Sequence, residues 1–196
     1  MMRTAIPAAL LACAAMPALA QNGPPPSPYA PLQDRPTCSR EELKAATAAY
    51  VEGQRKGDIS GLPLHEKAHF LENMVSIERS IGLWNTALPV ASALSFHDDK
   101  RCKTFTEIVV TEGATPYVLG TRLYLHEGKV IRVDSLVTKP GDWLFNANAF
   151  LKYTKQENWE PLHPYQRTAP AEMIRGANAY LDAFADKFTD IPWGLP

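Results

Sequence analysis

Several short stretches of this 196-residue chain carry side chains able to move a proton. His97 stands beside Asp98 at the end of a predicted strand, where a histidine can act as base while the carboxylate orients its ring. The competing reading is an exposed, charge-rich turn, His97-Asp98-Asp99-Lys100-Arg101. Asp134 lies in mid-strand near Arg122, Tyr124 and Arg132, either as a general base or as one half of a structural ion pair with Arg122 or Arg132. Glu72, followed by Asn73, falls on a predicted helical segment, where it either faces a pocket or sits on a helix surface. Asp142-Trp143 reads as a capped turn with a core tryptophan, or Trp143 and Phe145 form an aromatic pocket wall.

His65-Glu66-Lys67-Ala68-His69 is literally H-E-x-x-H, which on a helix brings two imidazoles to one zinc ion with the glutamate as base. Lys67 puts a charge beside the would-be metal, Pro63 leaves only a short helix, and no third ligand has a matching spacing. Zinc hydrolysis therefore ranks below proton transfer, and no metal or cofactor is expected. There is no G-x-S-x-G elbow and no glycine-rich phosphate loop.

The elements that must position these groups follow an export signal. Residues 1–20 combine Arg3 with an Ala/Leu-rich run ending in Ala18-Leu19-Ala20, a signal peptide with cleavage expected after Ala20 into the periplasm or outside the cell. Lipid attachment at Cys13 is the weaker alternative, because the apolar run continues past it. Residues 21–37 contain GPPPSPYAP and form a polyproline-like or disordered leader. The formal net charge of −1 gives no reason to expect nucleic acid or a membrane surface as partner. Cys38 and Cys102 lack zinc-ribbon or C-x-x-C spacing; in an exported chain they are expected to form one disulfide rather than two buried thiols.

Ser39-x-x-Glu42 is a capping box, and Leu43, Ala46, Tyr50 and Val51 form the apolar stripe of a helix ending near Gly57-Asp58. A less regular helical segment is expected around residues 65–77. Strands are predicted at 104–111, 117–126 and 129–138, the last two joined by Glu127-Gly128. A regular two-residue hairpin puts Arg122 and Tyr124 on one face, opposite Val133 and Ile131. It puts Thr121 and Leu123 on the other, opposite Asp134 and Arg132. An amphipathic helix is predicted over 168–188; its Ala179-Tyr180-Leu181-Asp182 echoes Ala49-Tyr50-Val51-Glu52, read as the start of a degenerate second repeat.

The order of helix, helical segment and long hairpin resembles the SnoaL-like, or nuclear-transport-factor-2-like, superfamily. Leu94-Ser-Phe-His-Asp, Pro116-Tyr-Val-Leu-Gly-Thr121, Gly141-Asp-Trp-Leu-Phe-Asn-Ala147 and Pro192-Trp-Gly194 are similar to an uncharacterised group of secreted fungal and bacterial proteins within it. The resemblance implies an α+β fold over residues 38–165, a cone-shaped curved antiparallel sheet packed by N-terminal helices, with the helix and tail of 166–196 as an addition. It further implies a homodimer and a cone interior that takes a small apolar or aromatic molecule. The expected chemistry is that of a lyase, isomerase or dehydratase working through a carboxylate or histidine in a dry pocket. On that reading Asp134 takes the proton, His97 and Asp98 assist, and Arg122, Tyr124, Trp143, Phe145 and Glu72 contact the substrate. The alternative class is a non-catalytic ligand-binding or interaction module, since fold alone does not fix activity.

Overall fold

The computed structural model describes residues 38–193; the predicted signal peptide and proline-rich leader lie outside them. Helix α1 spans Arg40–Lys56. The capping box is present: the Ser39 hydroxyl accepts from the Glu42 amide at 3.1 Å, and a Glu42 carboxylate oxygen accepts from the Ser39 amide at 2.8 Å. Two of the donors that every helix start leaves unpaired are thereby satisfied. Leu43, Ala46, Tyr50 and Val51 are buried, as their spacing predicts, and Thr47 and Gln54 join them.

Beneath α1 lies one six-stranded sheet, in the order β2-β1-β6-β5-β4-β3. Its strands are β1 (Leu64–Glu72), β2 (Val75–Ser76), β3 (Ser92–Asp98), β4 (Lys103–Val110), β5 (Tyr117–His126) and β6 (Lys129–Thr138). The fold class is α+β. The sheet is mixed rather than antiparallel throughout, because β1 runs parallel to β6. This corrects the helical reading of residues 65–77. Leu64, Ala68 and Leu71 have helical spacing, but the backbone of this segment pairs with β6, and tertiary pairing overrides local preference. Phe70 turns into the core and packs on Trp84 at 5.3 Å between ring centroids.

The β5–β6 hairpin departs from the regular register. Glu127 and Gly128 both have positive φ, 49° and 70°, the geometry of a tight two-residue turn, and Leu125 pairs with Val130. The next pair is Tyr124 with Arg132, so Ile131 is an extra residue bulged out of the ladder. Beyond it Leu123 pairs with Val133, Arg122 with Asp134 and Thr121 with Ser135. One residue of slip exchanges the faces of everything downstream. The expected division of charges between two faces is therefore wrong: Arg122, Tyr124, Arg132 and Asp134 share one face, turned away from α1.

The other face is the core. Ile108, Leu123, Val130 and Val133 meet Leu43 with no solvent exposure. Hydroxyls are tolerated there because they bond one another: Tyr50 Oη lies 2.7 Å from Thr121 Oγ1, and Thr121 Oγ1 lies 2.8 Å from Ser135 Oγ. Burial of Tyr50 pushes its phenol above the usual range. A disulfide joins Cys38 to Cys102, with Cα atoms 5.2 Å apart, and ties the start of α1 to the β3–β4 turn.

The C-terminal part crosses to the outer face. Helix α2 (Ala147–Thr154), unexpected from the sequence, packs on β4, where Val109 and Ala147 are buried. Helix α3 (Pro170–Asp182) falls within the predicted 168–188 and contains no buried residue.

Candidate functional site

Pairing across the outer face aligns chemistry-bearing residues in rows. One row reads Asp98, Lys103, Tyr124, Arg132; the next Phe96, Phe105, Arg122, Asp134; the third Leu94, Glu107, Gly120, Leu136. Phe96 stands 6.5 Å from Phe105 and edge-on to Trp159 at 5.6 Å, so the chain after α2 adds a third ring to the pair. Phe105 lies across Gly120, where a Cβ would come within 3.2 Å of its ring. Phe96, His97, Asp98, Lys103, Thr104, Phe105 and Arg122 line a largely apolar cleft of about 290 Å³. Diagonal neighbours on adjacent antiparallel strands have Cβ atoms about 7 Å apart, which is the spacing of Glu107 on β4 from Arg122 on β5.

Glu107 is the residue that sequence reading missed. It sits among Leu94, Gly120 and Leu136, and no hydrogen bond or ion pair to its carboxylate occurs among the described residues. Burial, and then the nearby Glu157 carboxylate, raise its pKa above the ordinary glutamate value. Alternation along 104–111 was legible, but the segment around Trp159 and Glu157 that folds over this row was not.

Of the predicted residues, His97, Asp98 and Arg122 border the same cleft, and the others do not line it. Asp134 is on the outer face, with Oδ2 accepting from Arg132 Nη2 at 2.8 Å, so the ion-pair reading holds and the partner is Arg132. Arg122 donates to Tyr124 Oη at 3.1 Å, and the Tyr124 ring lies between Lys103 Nζ and the Arg132 guanidinium, 4.9 and 5.1 Å from its centroid. Asp98 bonds Arg101 at 3.0 Å within the turn. His97 turns instead to α1, where Nε2 meets Thr47 Oγ1 at 3.1 Å; burial lowers its pKa, helped by Arg40 and Lys44. Adjacent in sequence, His97 and Asp98 thus occupy opposite faces of the sheet. The Glu72 carboxylate accepts from the Leu83 amide at 2.8 Å and belongs to a strand, not to a roofing helix.

Asp142 caps its turn, accepting from the Lys139 amide at 2.8 Å, but Trp143 is 80% exposed and is no core residue. Trp143 and Phe145 do share a separate cavity of about 330 Å³ with Phe150 and Tyr153. The H-E-x-x-H match lies on β1. Pairing with β6 is irregular between Leu64 and His69, so the two histidines do not stand one helical turn apart on a continuous helix; both line a cavity of about 440 Å³, and His65 Nδ1 accepts from the Lys67 amide at 3.1 Å. No group of three or more metal-ligating side chains gathers among the described residues. The zinc-hydrolase alternative loses the geometry it requires.

No protein-family model and no curated protein matches the chain. Three solved structures overlap it: AclR, a candidate hydroxylase from Streptomyces galilaeus, an NTF-2 like protein of unknown function from Burkholderia xenovorans, and a candidate ketosteroid isomerase from Kribbella flavida. Their identities are 15, 15 and 17%, and their TM-scores 0.39, 0.38 and 0.38. The overlaps cover 61, 63 and 67% of this chain and 100, 96 and 93% of the respective neighbours. At that level of similarity they carry no argument about the chemistry of this chain, which rests on its own residues.

Proposed function

We propose that the protein binds a small aromatic anion on the outer face of its sheet and moves a proton on it without a cofactor, as a lyase, isomerase or dehydratase. The observation that carries this reading is the placement on one face of Phe96, Phe105 and Arg122 along a cleft, with Trp159 packed on Phe96 and the Glu107 carboxyl, without a bonding partner, in the adjacent row. The ring of the substrate packs against Phe96, Phe105 and Trp159, and Arg122 takes the negative charge. Glu107 removes a proton from the carbon next to a carbonyl: the C–H pair becomes a C=C bond and the carbonyl pair moves onto oxygen, whose charge Arg122 meets. Return of the proton at the same carbon gives exchange and at a different carbon isomerisation; in elimination the oxygen pair re-forms the carbonyl, the C=C pair shifts to the next bond, and the group on the neighbouring carbon departs with its bonding pair and takes the proton from Glu107.

Burial places the Glu107 carboxyl nearer the working pH than an exposed glutamate, which suits a group that must both accept and return a proton. Asp134 shares the row of Arg122 but is paired with Arg132, and His97 bonds Thr47 on the inner face, so this reading gives the proton transfer to Glu107. The disulfide and the absence, among the described residues, of a helix long and apolar enough to cross a membrane fit an exported protein acting outside the cytoplasm.

Phenylpyruvate is a suitable probe, since it carries the ring, the anion and the acidic C–H. Arg122→Ala is expected to raise its dissociation constant about 10- to 100-fold in calorimetric titration, the loss of one charge-assisted hydrogen bond. Unchanged affinity would remove Arg122 from the site. The second reading, a non-catalytic binding module, draws support from the ion pair that engages Asp134 and the bond that turns His97 to Thr47. That binding-module reading predicts the same result for Arg122→Ala but no proton exchange on the probe.

A further inference from the structure

Helix α3 repeats α1 more closely than a four-residue echo. Aligned through Tyr50 and Tyr180, the two helices share Glu42 with Glu172 and Ala49 with Ala179, and they exchange like for like at Leu43/Met173, Ala46/Gly176, Val51/Leu181 and Glu52/Asp182. After α1 the chain reads Asp58-Ile59, then Gly61-Leu62-Pro63; after α3 it reads Asp190-Ile191, then Gly194-Leu195-Pro196. A helix with a repeated follow-on of this kind is one structural unit occurring twice.

The two copies differ in what covers them. In the first, Leu43, Tyr50 and Val51 are buried against the sheet. In the second, the equivalent Met173, Tyr180 and Leu181 are 56, 47 and 63% exposed, and Ile174 and Phe184 extend the same apolar surface. Among the described residues Tyr180 meets two other exposed rings, Phe184 at 5.4 Å and Trp193 at 6.1 Å.

We infer that α3 is a second roof helix, an interaction surface made to close over an antiparallel sheet of the same build as β3–β6. Its partner presents an inner face of alternating hydroxyl and aliphatic side chains, as Thr104, Thr106, Ile108 and Leu119, Thr121, Leu123 do here. Tyr180 would place its hydroxyl in that partner as Tyr50 places its own on Thr121. A second copy of this chain does not qualify, because α1 already fills its inner face. The inference stands independently of the outer-face site.

The test transplants Pro170–Asp182 onto positions 40–52 of the full chain, keeping Gly53 and Gln54. A second chimera carries Tyr180→Ala and Leu181→Ala within the transplant. The first is expected to unfold cooperatively, with a melting temperature within about 15 °C of the parent, a shift of a few kcal/mol; the second is expected to lose the transition. Both chimeras unfolded, or both equally folded, would show that α3 does not encode a roof for this sheet. Concentration-dependent dimerisation of the native chain that Leu181→Glu abolishes would assign the stripe to a second copy and overturn the inference.

Discussion

Replacing Cys38 and Cys102 together by alanine is expected to lower the free energy of unfolding by about 4 kcal/mol, the chain-entropy value for the loop it would open. That loop is long, with 64 residues of separation between the two cysteines, so its closure constrains the unfolded chain strongly. The folded state gives little back when the bond is cut. Cys38 is already held near the β3–β4 turn by its amide, which donates to the Asp99 carbonyl at 3.3 Å, and the Leu125 amide donates to the Cys102 carbonyl at 2.8 Å. The effect therefore appears mainly as a lower denaturation midpoint, with α1 still seated on the sheet in the folded population. Chemical denaturation followed by tryptophan fluorescence measures it, Trp84 being buried. A loss below about 1 kcal/mol would mean that the unfolded chain is already restricted by other means.

Glu107→Gln carries the largest expected effect on function. If Glu107 is the base, deuterium uptake at the carbon next to the keto group of phenylpyruvate, followed by proton NMR, falls by about 10²–10⁴-fold in the variant while affinity for the probe is kept. The parent rate rises with pH through the Glu107 titration, because only the ionised carboxylate accepts a proton, and that rise sits above the ordinary glutamate range because burial raises the pKa. The sign for stability is opposite. A carboxyl whose folded pKa exceeds its unfolded one favours folding while protonated, so stability declines as pH climbs from the unfolded value through the folded one. Glu107→Gln removes that decline, and the variant should be at least as stable as the parent at neutral pH. Exchange unaffected by the substitution would leave the outer face as a binding surface only.

The sequence was most legible where a local rule has a single structural solution. Ser39 and Glu42 specify a helix start, Glu127-Gly128 a tight turn, and two cysteines in an exported chain a bridge; each is found where the residue types place it. It was least legible where the outcome depends on a distant strand. Leu64 to Ile77 carries apolar spacing that suits a helix, and only β6, pairing from more than sixty residues away, makes it an edge of the sheet. The bulge at Ile131 has no residue-type signature, since isoleucine suits a regular strand equally well, yet it decides the face on which Arg132 and Asp134 lie. Reading the hairpin as regular therefore misplaced the candidate base. Glu107 was passed over for a related reason: its environment is made by Trp159 and Glu157, some fifty residues further along the chain, and nothing near it in sequence announces partial burial.

On this reading the ligand lies on the outer face of the sheet and not under α1. Titrating the isotopically labelled protein with phenylpyruvate and following backbone amide shifts tests it most directly. The account predicts saturable changes centred on Phe96, Phe105, Glu107, Gly120, Arg122 and Trp159, with little movement of Thr47, Tyr50, Thr104 or Thr121. Changes concentrated on that second group, with the outer rows silent, would place the ligand in the core beneath α1 and contradict the account.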